Sequence, residues 1–245
     1  MKGRTALFIV IFLLAVWVTY IALIVHQLPS PQPQPQPQIF VEPRDGYQPV
    51  LDALNSAQSS IFVEMYLITD RNVINALKNA SSRGVNVRVL LEDWSYGSPA
   101  DFRAVMDSLN SSGVSVQVSS PAFRLTHEKA IVIDRKIALI MTLNQAYSAY
   151  TKNREFGLID YNTTDAAEIA SAFEADWNRT APNLSDPNLV WSPTNSRDRI
   201  VSLIDSAKKS LEIENEEMQD QEVEDHLISA AQRGVNVKVV MSPST

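Results

Sequence analysis

A histidine, a lysine and an aspartate in one short segment are the residues of this sequence best suited to chemistry. They are His127, Lys129 and Asp134, an H-x-K-x4-D spacing on what we predict to be a β-strand. Residues two apart in a strand point to the same face, so His127 and Lys129 are expected to project together. An imidazole that attacks or carries a proton, beside a fixed cation, suits attack on a phosphate.

The elements around this segment alternate between strand-like and helix-like patterns. Asp70 is placed to cap a helix and Gly84 to end it, and the valine-rich run that follows is typical of a strand buried on both faces. The alternation predicts an α/β layered domain. Strands are predicted at 60–66, 85–91, 114–118, up to 134, 137–142 and 155–159, with helices at 70–82, 99–110 and 165–177.

Two parts of the sequence repeat each other. Residues 50–95 align without a gap to residues 200–245, an offset of 150, with 14 identities in 46 positions. Such a match indicates an internal repeat, so we predict one complete unit and the first part of a second. The counterpart of His127 would fall at position 277, beyond the 245 residues, whereas His226 aligns with Ala76 on a helix. We therefore expect His226 to be a packing or surface residue.

The N-terminal segment is typical of a membrane anchor. Residues 5–25 are 21 residues without a charge, enough to span a bilayer as a helix. Lys2 and Arg4 precede this stretch and the next Lys or Arg is Arg44, which predicts a cytoplasmic N-terminus and an extracytoplasmic domain. A cleaved signal peptide is the alternative, but its apolar core is usually about 7–15 residues. The Pro/Gln-rich residues that follow predict a semi-stiff linker.

Composition narrows the function further. The chain is 45% apolar with a net charge of -7, which counts against a general nucleic-acid binder. The absence of cysteine excludes disulfides, thiolate catalysis and cysteine-based metal sites. Several basic residues lie near the motif in the sequence. They could form one local basic patch or be scattered over the surface, and the sequence favours neither arrangement. These basic residues are Arg124, Lys129, Arg135, Lys136, Lys152 and Arg154.

The flanks of the motif give it a family context. Thr142 and Asn144 follow His127 by 15 and 17 residues, and Glu155 follows it by 28 within an Asn-Arg-Glu sequence. With these flanks the chain resembles the phospholipase D superfamily, whose signature is H-x-K-x4-D, a G-[ST]-x-N turn and a downstream N-x-E. The resemblance extends from about residue 40 to the C-terminus. It implies an α/β fold, a phospholipase D-like α/β/α sandwich with a mixed sheet, here one unit and part of a second after one transmembrane helix.

The resemblance also implies a catalytic set of His127, Lys129, Asp134 and Glu155. His127 would form a phosphohistidine or protonate the leaving group, and Glu155 would orient its ring. Lys129 would neutralise the charge that develops on the phosphate. Asp134 would be mainly structural, fixing the loop after its strand. No metal or other cofactor is expected.

Phosphate binding is assigned by the same resemblance to Lys129, Thr142 and Asn144. The sequence departs from the family where Met141 replaces the glycine of the turn, which raises the question of whether that position needs glycine's backbone freedom. The second departure is larger, because family members build one site from two motifs, in one chain or across a homodimer. The chain is therefore expected to be truncated, to dimerise so that two copies of His127 meet, or to be inactive; truncation is preferred because a partial unit leaves sheet edges unpaired.

These observations predict four segments: an anchor at 1–27, a linker at 28–39, a phospholipase D-like unit at 40–190 and an incomplete second repeat at 191–245. The favoured function is a membrane-anchored phosphodiesterase or phosphatidyltransferase acting on phospholipid. An extracytoplasmic endonuclease working as a homodimer is the alternative, with nucleic acid the less favoured substrate. A non-catalytic binding module is the third hypothesis.

Overall fold

A computed structural model describes Trp17, Tyr20 and residues 35–93 and 98–242. The chain divides into two compact units, residues 1–166 and 167–245. Most of the predicted anchor and the linker up to residue 34 lie outside the described residues. Among those that are described, no helix combines the length and the apolar character needed to cross a membrane.

The first unit contains a mixed seven-stranded sheet. In the sheet order β1-β7-β6-β5-β2-β3-β4, strands β2, β3 and β4 are parallel and the other pairs are antiparallel. The predicted mixed α/β fold is thus confirmed. The strands are β1 (Gln38–Glu42), β2 (Ser60–Met65), β3 (Asn86–Leu91), β4 (Ser115–Val118), β5 (Lys129–Ile133), β6 (Ile137–Met141) and β7 (Glu155–Asp160). The helices are α1 (Gln48–Ser56), α2 (Arg71–Ser82), α3 (Pro99–Asn110), α4 (Tyr147–Thr151) and α5 (Thr163–Trp177), the last of which continues into the second unit.

Helices α1, α2 and α3 share a core with one face of this sheet. Alternate residues of the strands, such as Ile61, Val63 and Ile131, are buried there with Leu54 of α1 and Leu77 of α2. The residues between them are buried too, since Phe62 and Val132 are 3% and 2% exposed. The central strands are therefore covered on both faces, which explains why their sequences are almost continuously apolar.

Local signals set the bounds of α2. Asp70 adopts an extended conformation and its side chain accepts hydrogen bonds from the amides of Asn72 and Val73, as an N-cap does. The helix ends at Ser82, and Gly84 follows with φ +89°, a conformation that favours glycine. Val73 and Leu77, four residues apart on one face of the helix, are buried.

Four parts of the chain differ from the predictions. His127 precedes β5, which begins at Lys129 because that residue is the last to pair with β2, opposite Met65. Strand β1 and the helices α1 and α4 were not predicted. Strand β1 starts at Gln38, inside the segment predicted to be linker, and pairs with β7.

The second unit repeats the opening elements of the first. It contains α6 (Ser196–Ser206), β8 (Ser210–Asn215), α7 (Gln221–Gln232) and β9 (Asn236–Met241), in the order helix, strand, helix and strand. Strands β8 and β9 are parallel. A small core forms from Ile204, Leu227, Ala230 and Val235.

The correspondence between β2–α2–β3 and β8–α7–β9 holds at the level of single bonds. All three elements keep the same bounds 150 residues apart. Asp220 caps α7 by accepting from the amides of Glu222 and Val223, and Gly234 has φ +88°. The geometry agrees with the repeat seen in the sequence.

Candidate active site

The candidate residues gather at one edge of the sheet. Here β2 and β6 end, and β5 and β7 begin. His127 and Lys129 lie at the start of β5, Thr142 and Asn144 follow β6, and Glu155 opens β7. The antiparallel connections thus bring together residues that are up to 28 positions apart in the sequence.

The histidine is exposed and its ring contacts an aromatic side chain. His127 and Tyr66 meet edge to face, with ring centroids 4.6 Å apart and an interplanar angle of 69°. Tyr66 follows β2, and its amide donates to the carbonyl oxygen of Glu128 at 3.1 Å. A backbone bond and a ring contact therefore both fix Tyr66 beside the motif. Nothing in the motif spacing indicated Tyr66, although its position at the end of a predicted strand could have done so.

Lys129 is buried to 8% exposure and its ammonium stays within the site. Its Nζ donates to the carbonyl oxygen of His127 at 2.7 Å and lies 5.5 Å from the centroid of the Tyr66 ring. The aromatic ring favours a cation at this distance. His127 and Lys129 are adjacent as predicted, but the bond to the backbone and the shared ring hold them together rather than a common strand face.

A carboxylate that the sequence analysis did not single out anchors the backbone before His127. Glu92 follows β3, and its Oε2 accepts from the amide of Thr126 at 2.7 Å and from the hydroxyl of Ser119 at 3.0 Å. Thr126 is itself buried. Because Thr126 is the residue before His127, Glu92 restrains the loop that presents the imidazole.

Thr142 and Glu155 are bonded to each other. The Thr142 hydroxyl donates to Glu155 Oε2 at 2.6 Å and accepts from the amide of Phe156 at 2.9 Å. A hydroxyl has a single proton to donate, so in this state it is not directed at a phosphate. The other oxygen of Glu155 accepts from Asn153 at 3.3 Å. In the described part of the chain the partners of Glu155 are therefore Thr142 and Asn153, not the ring of His127.

Asn144 has an unusual environment. Its Oδ1 is buried and has no hydrogen-bond partner among the described residues. A buried acceptor without a partner costs roughly 1–3 kcal/mol, and such groups are often found where a ligand binds. The Oδ1 atom of Asn144 is therefore available to accept a hydrogen bond from a donor group of a ligand.

Gln145 holds the Asn144 loop against the loop after β2. Its backbone carbonyl accepts from the amides of Thr69 and Asp70, at 2.8 and 2.9 Å, and its amide donates to the carbonyl of Leu67. Its fully buried side chain accepts a hydrogen bond from the hydroxyl of Tyr150. Burial raises the pKa of this hydroxyl, with the nearby Asp70 and other acidic groups adding to the effect, so the phenol remains a donor.

Met141 does not disturb the turn that follows it. It is not among the non-glycine residues with positive φ, which within the described chain are Asp134, Arg135 and Arg179. Its side chain is buried in the core and its sulfur lies 3.9 Å from Gln145 Nε2. The replacement of the family glycine is accommodated because this position does not need left-handed backbone.

Asp134 is not part of this cluster. It follows the opposite end of β5, about 16 Å of extended chain from Lys129. Its carboxylate accepts from the amides of Gln58, Ser59 and Ser60 at 2.7–2.9 Å, and from the Ser59 hydroxyl at 2.8 Å. These contacts fit the mainly structural role that was expected of Asp134, but the loop it fixes is the one before β2 and not the one after its own strand.

These bonds are visible in the acidity of Asp134. Burial by itself raises the pKa of the carboxyl, but the hydrogen bonds from residues 58–60 outweigh it, and the net pKa is below the ordinary value. The charged form is thus the one that the fold stabilises.

The basic residues that lie near the motif in sequence are divided between the two ends of β5. Arg135 and Lys136 lie at the Asp134 end of β5, away from His127. Arg154, next to Glu155, donates to the carbonyl oxygen of Glu42 at 3.1 Å, while Arg124 and Lys152 are exposed. His226, in the second unit, contacts Asp205 at 2.8 Å on the surface, in keeping with a packing or surface role.

Together the site offers an exposed imidazole, a nearby ammonium and a buried amide oxygen without a partner. An imidazole can attack phosphorus or carry a proton, and an ammonium can neutralise a phosphate oxygen. Among the described residues, no group of acidic, histidine and cysteine side chains is arranged to hold a metal ion. The chemistry that this arrangement supports is displacement at a phosphodiester.

Comparison with known proteins agrees with this geometry. Residues 50–177 match the family described as "Cardiolipin synthase, PLD-like domain", and residues 188–245 match "Transcriptional regulator TrmB, EBD N-terminal subdomain". Cardiolipin synthase 1 of Staphylococcus epidermidis is 32% identical over 125 residues, 49% of this chain and 25% of that protein. Phospholipase D of Rickettsia conorii is 26% identical over 145 residues, 59% of this chain and 68% of that protein. The match thus spans only a quarter of the synthase.

Solved structures show the same fold. Nuc of Salmonella typhimurium, a phospholipase D family member, has a TM-score of 0.55 and 26% identity, covering 61% of this chain and 99% of that one. Polyphosphate kinase of Porphyromonas gingivalis has a TM-score of 0.67 at 19% identity, covering 84% of this chain and 38% of that one. The kinase likeness concerns the fold alone.

Proposed function

Since the chain belongs to the phospholipase D superfamily, we propose that it is a phosphodiesterase that cleaves or transfers the phosphatidyl group of phospholipids. The observation that carries the proposal is the exposed His127 ring, with the Lys129 ammonium and the Tyr66 ring beside it. An accessible nucleophile next to a buried cation is what an attack on an anionic phosphodiester requires.

The reaction proceeds in two displacements. A ring nitrogen of His127 attacks phosphorus, the bond from phosphorus to the leaving alcohol oxygen breaks, and that oxygen takes a proton from an acid. Water or a second alcohol then attacks phosphorus, gives up its proton to the same group acting as base, and releases His127. Lys129 neutralises the non-bridging oxygens through both steps. A covalent intermediate divides one difficult displacement into two easier ones.

The polar residues of the neighbouring loops support this chemistry. Asn144 binds a phosphate oxygen by donating from its amide nitrogen Nδ2, and the bond between Thr142 and Glu155 keeps the start of β7 in place. When a phosphate is bound, the Thr142 hydroxyl can turn from Glu155 toward it. Tyr66 and the anchored Thr126 hold the imidazole in its attacking position.

The acid is a second histidine from another copy of the motif. In the second unit His226 lies on α7 and contacts Asp205, so it is not placed like His127. A homodimer in which two His127 side chains meet provides the acid most simply, and the exposure of His127 allows it. The second unit has its own capped helix and parallel strand pair, which supports a segment built on the same plan as the opening of the first unit.

Phospholipid is favoured over nucleic acid by charge and by the division of the basic residues. A net charge of -7 opposes a long polyanion. The uncharged N-terminal residues 5–25 further favour a membrane location, as a single-pass anchor with the catalytic domain outside the cytoplasm. An anchored enzyme would meet its substrate in the bilayer.

The test is to trap the covalent intermediate. The full chain is incubated with vesicles of phosphatidylglycerol or phosphatidylcholine labelled on phosphorus, or with labelled DNA, and quenched in alkali. We expect a phosphoryl adduct with phospholipid that survives base and is lost in acid, as phosphohistidine is. His127→Ala should abolish it.

His226→Ala is the matched control, since it removes the other described histidine without touching the site. It should form the adduct at the wild-type level. A folded wild-type protein that forms no adduct with any of the substrates would refute the enzymatic proposal, and an adduct with DNA alone would replace phospholipid by nucleic acid.

A further inference from the structure

A cleft lies between α2 and α3, next to the candidate active site. Its volume is about 690 Å³, within the range of roughly 300–1,000 Å³ typical of small-molecule sites. The floor is apolar, and the rim carries Arg71, Asn75, Asp101 and Thr69. The apolar residues are Leu67, Ile68, Ile74, Leu91, Phe102, Ala104 and Val105.

The cleft has a definite direction. One end is formed by Tyr66 and the residues after β2, at the same sheet edge as His127. At the other end Lys78 Nζ donates to Ser108 Oγ at 2.8 Å and links the C-terminal halves of the two helices. From Arg71 to Lys78 the helix rises by about 10 Å. The cleft is therefore a groove that is closed by a polar bridge at its far end.

Tyr66 belongs to both the cleft and the active site. It lines the groove, and its ring meets the His127 ring at 4.6 Å. A ligand that fills the groove up to Tyr66 thus comes within one aromatic ring of the nucleophile.

The chemistry of the lining favours a hydrocarbon chain over a polyanion. Ile68 and Leu91 are almost fully buried and offer little surface themselves, whereas Ile74, Phe102 and Val105 are only partly buried and leave apolar surface in the cleft. Of the two cations, Lys78 is bonded to Ser108, and Arg71 shares the lining with Asp101. Apolar surface of this kind gains from covering by methylene groups.

We propose that the α2–α3 cleft binds one acyl chain of the phospholipid whose phosphate contacts His127 and Lys129. This inference rests on the proposed function for the identity of the substrate. The acyl chain enters beside Tyr66 and extends toward the Lys78–Ser108 bridge. Its binding then fixes the phosphate relative to the imidazole, which converts binding energy into orientation at the reacting atoms.

Binding is tested with cis-parinaric acid, a fluorescent fatty acid, on the full chain. Ala104→Trp places a large side chain in the cleft from an exposed helical position, and we expect the affinity to fall about tenfold or more. The control is Arg103→Trp, on the same helix and exposed but outside the cleft lining, which should bind as wild type does. Thermal unfolding verifies that both variants fold.

Chain length gives a second measurement. Phospholipids with butyryl, octanoyl and palmitoyl chains are compared as monomeric or detergent-dispersed substrates. Each added methylene should raise kcat/KM by up to about fourfold until the cleft is full, and Ala104→Trp should remove this dependence.

The outcomes separate the two proposals. Fatty-acid binding that Ala104→Trp blocks, without any phosphodiesterase activity, would support the cleft and refute the function. Phospholipid cleavage with no fatty-acid binding, or with equal binding by both variants, would refute the cleft and leave the function standing.

Discussion

The β2–α2–β3 segment and the β8–α7–β9 segment have the same backbone plan and different surroundings. Both have an aspartate cap, an Arg-Gly helix end and a parallel strand pair in the same register. In the first, β2 is buried along almost its whole length. In the second, β8 is mostly exposed among the described residues and has charged side chains such as Glu212 and Glu214 on one face. The local sequence therefore determines the secondary structure of the segment, whereas its burial depends on the elements that pack around it.

The candidate chemistry comes from what the first segment has beside it. Strands β5, β6 and β7 extend the sheet from β2, and all five candidate residues at the site edge lie on these strands or next to them. The repeated segment supplies Tyr66 and the Glu92 anchor, whose counterparts at offset 150 are Glu216 and Ser242. The repeated strand–helix–strand segment therefore forms part of the sheet in the first unit, and the candidate site depends on strands β5, β6 and β7 beside it.

The largest expected effect comes from exchanging the residues that distinguish β2 from β8. Phe62 in β2 aligns with Glu212 in β8, and the two are buried and exposed respectively. Phe62→Glu removes a buried ring and places a carboxylate in a buried position beside Arg88, whose guanidinium carbon lies 4.6 Å from the ring centroid. We expect it to destabilise the first unit by about 3 kcal/mol or more. Glu212→Phe should change the melting temperature little. Thermal unfolding of both variants checks this, and equal losses would remove the distinction between the two segments.

The next largest effect is expected from removing the charge of Asp134, whose hydrogen bonds to the loop before β2 have no equivalent before β8 within the described part of the chain. The amides of residues 58–60 donate hydrogen bonds to the Asp134 carboxylate. Among the described residues, no carboxylate accepts from the amides of residues 208–210. Asp134→Asn keeps a side chain that tolerates φ 52° and removes the charge. We expect a loss of about 2 kcal/mol from urea unfolding at neutral pH.

The pH dependence of this loss follows from the lowered pKa of Asp134. A carboxyl whose pKa is lower in the folded state contributes its full stabilisation above its unfolded pKa, about 3.9, and loses it as the pH falls through the folded value. Wild type and Asp134→Asn should therefore differ at pH 7 and converge in strong acid. A difference that does not change with pH would exclude the charge as its cause.

The two helix caps should differ by a smaller amount. Asp70 is buried and also accepts from the Tyr47 hydroxyl at 2.7 Å, and burial raises the pKa of Tyr47 to about 12, so the phenol stays a donor. Asp220 is more exposed, and its additional partner is Arg197 at 2.6 Å. Asp70→Ala should cost about 2 kcal/mol and Asp220→Ala clearly less. Equal losses in denaturant unfolding would show that burial adds nothing to the cap.

The smallest effect should also be the most similar in the two segments. Gly84 and Gly234 have φ +89° and +88°, and an added Cβ would meet no atom within 4 Å at either position. Gly84→Ala and Gly234→Ala should each cost about 1 kcal/mol, from backbone strain alone. Unequal losses would mean that the matching geometry hides a difference in rigidity.

Element bounds that depend on local chemistry could be predicted from the sequence. Helix α3 runs from Pro99 to Asn110 as predicted, because Ser98 caps it and proline suits its first turn. Helix α2 likewise follows from Asp70 and Gly84. Strand β1 was missed because nothing local marks it: it exists through its pairing with β7, more than a hundred residues later.

The site was predictable in its residue types and less so in its contacts. His127, Lys129, Thr142, Asn144 and Glu155 do lie at one sheet edge. The bond between Thr142 and Glu155, the position of Asp134 at the other end of β5 and the Glu92 anchor all depend on which strands pair. Spacing along a chain does not contain that information, because strand register is set by partners distant in sequence.

The edge-to-face contact between Tyr66 and His127 has a consequence for spectroscopy. The imidazole protons lie in the magnetic field of the phenol ring current, so a small rotation of Tyr66 shifts their resonances. The chain has only three histidines, which keeps that region of the spectrum simple to assign. His127 therefore acts as a built-in NMR probe of Tyr66. Entry of an acyl chain into the cleft would change the chemical shifts of the His127 ring protons before any bond is broken.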